Sequence, residues 1–242
     1  MSITVKDIAK MIDHSLLQPH MTPTQVKEGC EIAKQYDCAS VCVKPSDVDL
    51  AKSILDGTDV KVSTVIGFPH GAHLTATKVF EVGEAIKGGC VELDMVLNIG
   101  RLIDGDTEYV KNDIKAVVDL AHSKNVIVKV ILENCYLTDE QKVTACKICE
   151  SVGADFVKTS TGYGTGGATI EDLKLMRATV GPQVRVKAAG GVRTLDQALA
   201  VKAVGAVRFG ASATAVILKE AQERQDAGTL KEASAAELGG AY

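Results

Sequence analysis

Two lysines stand in stretches where a lysine adds nothing to solubility. Lys158 lies in Asp155-Phe156-Val157-Lys158-Thr159-Ser160-Thr161-Gly162, and Lys187 in Val184-Arg185-Val186-Lys187-Ala188-Ala189-Gly190-Gly191. Both stretches read as buried strands. An amine taken out of water loses the hydration that favours its charge, so its pKa falls. The neutral amine can then attack a carbonyl and form an imine. Adjacent strands lie about 4.8 Å apart, so two ammonium groups at matching positions repel and at least one should titrate well below an ordinary lysine. Either lysine alone reads as structural, its ammonium held by a salt bridge at its strand end. The pair together favours imine chemistry.

A third run, Val91-Glu92-Leu93-Asp94-Met95-Val96, puts Glu92 and Asp94 on one face, because side chains alternate along a strand. Asp94 is the candidate to hold the lysines in place and shuttle protons. Glu92 reads instead as a partner for a basic residue inside the fold. Lys129 reads as a structural partner for Asp94, Glu92 or Glu133.

Glycines mark a second kind of site. Gly190-Gly191-Val192-Arg193-Thr194 and Gly210-Ala211-Ser212 each precede a helical pattern, and Gly162-Tyr163-Gly164-Thr165-Gly166-Gly167 follows Lys158. Backbone N–H groups in such loops, and at the start of a helix, bind phosphate. Any one of these loops could be a simple turn. Three at one end of a fold point to phosphate, with Gly162, Gly190, Gly191, Gly210, Ser212 and Arg193 as candidate contacts. His70 and His73, with Asp13-His14, raise the question of a metal, but no third ligand stands at a defined spacing. The pair Cys146 and Cys149 falls inside a helical pattern with no second pair to complete a zinc site.

These residues must be positioned by a repeating frame. Strand-like runs occur at 12–17, 40–43, 60–66, 91–97, 126–132, 155–159, 184–188 and 207–210. Helical patterns fill the gaps at 24–35, 47–55, 76–87, 107–123, 138–151, 170–178, 195–203 and 213–223. Thr22 with Gln25 and Thr138 with Gln141 have the spacing of capping boxes. Strict alternation implies parallel strands with right-handed crossovers. Eight units predict an α/β fold closed into a (β/α)8 barrel, a single domain over 1–242, with a mobile tail from about 227. The open doubly wound alternative lacks its G-x-G-x-x-G turn. In the barrel, the strand C-terminal ends and the loops after them build the site.

Composition narrows the class further. The 242 residues carry a net charge of −4, with 46% hydrophobic and 24% charged residues. That balance lacks the clustered basic excess of a nucleic-acid surface. No apolar run reaches the length of a membrane span, and the first residues have no apolar signal core. A cytoplasmic protein is expected, its seven cysteines mostly small buried hydrophobes.

Val157-Lys158-Thr159-Ser160-Thr161-Gly162 and Lys187-Ala188-Ala189-Gly190-Gly191-Val192-Arg193-Thr194 resemble the two signature segments of the deoxyribose-phosphate aldolase family. The similarity extends to Ile12-Asp13-His14-Ser15-Leu16-Leu17, Val41-Cys42-Val43, Glu92-Leu93-Asp94-Met95-Val96 and Arg208-Phe209-Gly210-Ala211-Ser212, so it spans nearly the whole chain. It implies a class I aldolase that reversibly cleaves 2-deoxy-D-ribose 5-phosphate to glyceraldehyde 3-phosphate and acetaldehyde. By the same resemblance, Lys158 forms the imine, Lys187 tunes it, Asp94 is the acid/base carboxylate, and Asp13 belongs to the proton relay. No metal or organic cofactor is implied, and dimers or tetramers are. Ala213 replaces a second serine that the family often has on the phosphate, which predicts modestly weaker phosphate binding. The family also has a C-terminal tyrosine that reaches the site, and the chain ends in Tyr242 after Gly239-Gly240-Ala241, a candidate lid. The competing readings are another phosphate-binding barrel lyase, such as a transaldolase-like enzyme, and a non-catalytic barrel that senses a sugar phosphate.

Overall fold

The computed structural model describes residues 3–233. Eight strands run parallel and close in sequence order. They are β1 Ile12–Leu16, β2 Ser40–Val43, β3 Lys61–Ile66, β4 Glu92–Val96, β5 Ile127–Ile131, β6 Phe156–Lys158, β7 Arg185–Ala188 and β8 Ala206–Ala211. All eight expected runs are strands, with ends within two residues of the expected bounds. Each strand packs one face into the barrel and the other against helices, which is why the runs are apolar on both faces. Closure leaves no unpaired edge.

The helices are α1 Val5–Ala9, α2 Pro23–Gln35, α3 Val48–Leu55, α4 Thr75–Lys87, α5 Ile99–Ile103, α6 Thr107–His122, α7 Asp139–Ser151, α8 Ile170–Thr179, α9 Leu195–Ala203 and α10 Thr214–Asp226. Short 3-10 turns occupy Pro45–Asp47 and Asn134–Tyr136. Full capping boxes start α2 (Thr22, Gln25) and α7 (Thr138, Gln141), as their spacing predicts. Two helices had no counterpart in the sequence reading. α1 and α5 have five residues each, too short to develop an apolar period, and they are fixed by caps at Thr4 and Asn98.

Several features tie the frame to the strand ends. Lys78 of α4 and Asp113 of α6 form a fully buried ion pair at 2.5 Å, and Lys78 Nζ also donates to the Val96 carbonyl at 3.0 Å. This clamps two helices to the C-terminal end of β4, two residues beyond Asp94. After α10 the chain folds back: Leu230 and Ala233 pack on the core, and Glu232 pairs with Lys202 at 2.5 Å. Tyr242 and the lid expected around it lie outside the described residues. Among the described residues, no helix is long and apolar enough to cross a membrane.

Candidate active site

Strand register brings the expected residues together. Lys158 of β6 pairs directly with Lys187 of β7, and Asp94 of β4 with Lys129 of β5. Asp94 sits at the centre of three ammonium groups. Its Oδ2 accepts from Lys158 Nζ and Lys187 Nζ at 2.7 Å each, and its Oδ1 from Lys129 Nζ at 2.8 Å. Asp13 of β1 pairs with Lys187 and with the Arg208 guanidinium, and accepts the Ser40 hydroxyl at 2.7 Å. Glu92 pairs with Lys129 and with Arg208, at 2.7 Å each. Glu92 and Lys129 are thus ion-paired inside the barrel, as the sequence suggested, though Glu133 lies apart and binds Thr161.

Charge counting shows what this cluster does to a proton. Among the described residues, four cations (Lys129, Lys158, Lys187, Arg208) face three carboxylates (Asp13, Glu92, Asp94). Fully ionised, the cluster would hold one positive charge too many in a region where unpaired charge is costly. The surplus falls on Lys158. Burial, and after it the opposing pull of Asp94 and the repulsion of Lys187, leaves the Lys158 amine below the ordinary lysine range. Burial would lower Lys187 as well, but Asp13 and Asp94 outweigh it and hold Lys187 above that range. Lys129 is raised too, its burial overcome by Asp94, Glu92 and Asp13. Burial would raise Asp94, yet the three lysines hold it well below the ordinary carboxylate range. The repulsion expected between the two lysines is therefore present, but burial is the larger cause.

A cavity of about 530 Å³ opens onto this cluster and is lined by Lys158, Lys187 and Asp13. All six residues expected to meet phosphate line it too: Gly162, Gly190, Gly191, Arg193, Gly210 and Ser212. Gly190 and Gly191 have φ of 76° and 103°, a left-handed backbone that glycine adopts freely. The two helix starts differ. α9 is closed by its own capping box of Thr194 and Gln197, and Gln197 Oε1 also accepts the Arg193 N–H at 2.8 Å. α10 has no side-chain cap, and Ser212 lies just before it. An uncapped helix start leaves backbone N–H groups without partners, which favours an anion there.

Other residues at the site carried no clear signal in the sequence. Arg208 binds Asp13 and Glu92 across 195 and 116 residues of chain, a separation no local pattern reveals. Cys42 lines the cavity, and burial holds its thiol above the ordinary range. His14 is buried, its Nδ1 2.8 Å from Thr214 Oγ1, and burial pushes it down to about 4. It is neutral near pH 7 and holds the start of α10. Phe68 packs against Leu17, Cys42 and Val65 at the barrel mouth, edge-on to the cavity-lining Tyr163 with ring centroids 5.4 Å apart.

A closed (β/α)8 barrel with a buried lysine, hydrogen-bonded to a carboxylate and facing a cavity at its C-terminal end, has the make-up of an enzyme acting on small carbonyl compounds. Residues 8–219 match the family model described as DeoC/LacD family aldolase, and the chain belongs to that family. It is 57% identical to the deoxyribose-phosphate aldolase of Thermoanaerobacter sp. strain X514, over 88% of this chain and 96% of that protein. It is 54% identical to the deoxyribose-phosphate aldolase of Thermococcus gammatolerans, over 90% and 98%. Among solved structures, the aldolase QR15 superposes with a TM-score of 0.87 at 36% identity, covering 91% of this chain and 98% of that one. The deoxyribose phosphate aldolase of Aeropyrum pernix, described as having a unique tetrameric structure, superposes with a TM-score of 0.84 at 29% identity, covering 90% and 92%. The chain is an aldolase, a carbon–carbon lyase.

Proposed function

We propose that the protein reversibly cleaves 2-deoxy-D-ribose 5-phosphate to D-glyceraldehyde 3-phosphate and acetaldehyde through an imine on Lys158. The observation that carries this reading is the surplus-cation cluster, which favours a neutral amine at Lys158 where the cavity meets it. That amine attacks C1 of the open-chain sugar, and loss of water gives the iminium. The iminium draws electrons from the C2–C3 bond as a base takes the C3 hydroxyl proton. Glyceraldehyde 3-phosphate leaves, and an enamine remains on Lys158. Protonation of the enamine at C2, then hydrolysis, releases acetaldehyde and restores the amine.

Asp94 and Lys187 are the proton-transfer pair in this reading, because they share a hydrogen bond and adjoin the Lys158 nitrogen. Asp13 extends the relay from Lys187. Tyr242 is the proposed assistant for protonation at C2. The phosphate is held by the Gly190, Gly191 and Gly210 backbone, the uncapped start of α10 and Ser212, with the Arg193 guanidinium and Gly162 at the rim. The same reading takes the whole chain as one barrel domain, acting in the cytoplasm as a homo-oligomer, dimer or tetramer, without metal or organic cofactor.

Turnover on two sugars tests the reading. The protein should cleave 2-deoxyribose 5-phosphate with a strong preference over 2-deoxyribose. Ser212→Asp puts a carboxylate against the phosphate dianion. KM for the phosphorylated sugar should rise about tenfold, while the unphosphorylated sugar is little affected. Equal response of both sugars would place the phosphate elsewhere, and no cleavage of either would end the proposal.

A further inference from the structure

The chain leaves β5 in an uncommon way. Glu133 has φ 58° and ψ 61°, a left-handed conformation that residues with a Cβ rarely adopt. Its side chain is buried, and a buried carboxyl group needs partners. Both oxygens find them on one residue: Oε1 accepts the Thr161 backbone N–H at 3.1 Å, and Oε2 accepts the Thr161 hydroxyl. The Thr161 hydroxyl oxygen in turn accepts the Tyr163 N–H at 3.0 Å. Strained backbone persists where its surroundings hold it, and it gathers at functional sites.

What Glu133 fixes is the glycine-rich loop after β6. The loop lies hard against the turn that carries Glu133, since a Cβ on Gly164 would come within 2.8 Å of Cys135 Sγ and 3.2 Å of Glu133 Cδ. Its far end locks onto the next loop. A Cβ on Gly167 would lie 2.3 Å from the Gly190 carbonyl oxygen, and the Ala168 N–H is shared by the carbonyls of Ala189 and Gly190 at 2.9 Å each. The chain from Thr161 to Ala168 is therefore pinned at one end by Glu133 and at the other against Gly190. Both Gly162 and Gly190 line the cavity.

We propose that Glu133 is a positioning residue that fixes Thr161 and, through the 162–167 loop, sets where Gly162 and Gly190 meet the phosphate. This rests on the reading of that end of the cavity as the phosphate site. Glu133 does not touch the reacting carbon in this account. Its loss should weaken phosphate binding and leave imine formation alone.

Two variants separate the carboxylate from the backbone. Glu133→Gly accepts the left-handed conformation without strain and removes both contacts to Thr161. Glu133→Gln keeps an acceptor for the Thr161 N–H and an amide that can meet the hydroxyl oxygen. Three quantities are measured: the Kd for inorganic phosphate by calorimetry, the KM for 2-deoxyribose 5-phosphate, and the yield of borohydride-trapped acetaldehyde adduct on Lys158. In Glu133→Gly the Kd and KM should rise about tenfold, as loss of hydrogen bonds to a carboxylate implies, with full adduct yield. Glu133→Gln should recover most of the affinity. Unchanged phosphate affinity in Glu133→Gly would overturn the proposal, and so would joint loss of phosphate binding and adduct, which would mark Glu133 as general structural support. If the aldolase reading itself were wrong, the unmodified protein would cleave nothing, while its phosphate affinity would still depend on Glu133.

Discussion

Replacing Lys187 with leucine should move the rise of the pH–rate profile to higher pH and lower turnover at neutral pH by more than tenfold. Lys187 and Lys158 donate to the same oxygen of Asp94. Repulsion between two such charges at 4–5 Å is worth about 3–4 kcal/mol at an effective dielectric of 20. Removing Lys187 removes that repulsion and leaves three cations facing three carboxylates, so an ionised Lys158 is now fully compensated. Its pKa rises, and each unit of rise leaves about tenfold less free amine at a pH below it. Loss of a proton-transfer partner adds to the deficit. A profile that keeps its position would show that burial alone sets the Lys158 amine.

Asp94→Asn should act in the opposite direction on the pH profile and be the more damaging to the fold. An amide cannot compensate three lysines, so four cations would face two carboxylates. Breaking a buried ion pair on one side costs about 3–5 kcal/mol, which a denaturant titration would read. With its anion gone, the Lys158 ammonium is further disfavoured and the rise of the profile moves to lower pH. The free amine is then abundant, so adduct trapping survives. Turnover should nevertheless fall by about 10²–10⁴, the usual loss when a general acid–base group is removed. Near-normal turnover in the folded variant would take Asp94 out of the proton path.

The frame and the centre of the site were legible in the sequence for the same reason. Buried parallel strands write themselves as Val/Ile runs, and a lysine or aspartate inside such a run has few places to point. Lys158, Lys187 and Asp94 could therefore be found residue by residue. The remainder depends on closure of the barrel. Arg208 gains its meaning from Asp13 and Glu92 on distant strands. Glu133 sits in Glu133-Asn134-Cys135, without the glycine that announces a left-handed turn. The direction of the lysine shifts also needed geometry, because Asp13 and Asp94 together hold Lys187 above the ordinary lysine range, whereas burial outweighs Asp94 alone at Lys158 and leaves it below that range.

The claim that Lys158 is the imine-forming group is tested most directly by covalent trapping. The protein is incubated with acetaldehyde and borohydride, digested, and the modified peptide located by mass spectrometry. A single ethylated lysine is expected at Lys158, formed also in Asp94→Asn and absent from Lys158→Ala. Ethylation of Lys187 or Lys129 in place of Lys158, or an undiminished adduct in Lys158→Ala, would contradict it.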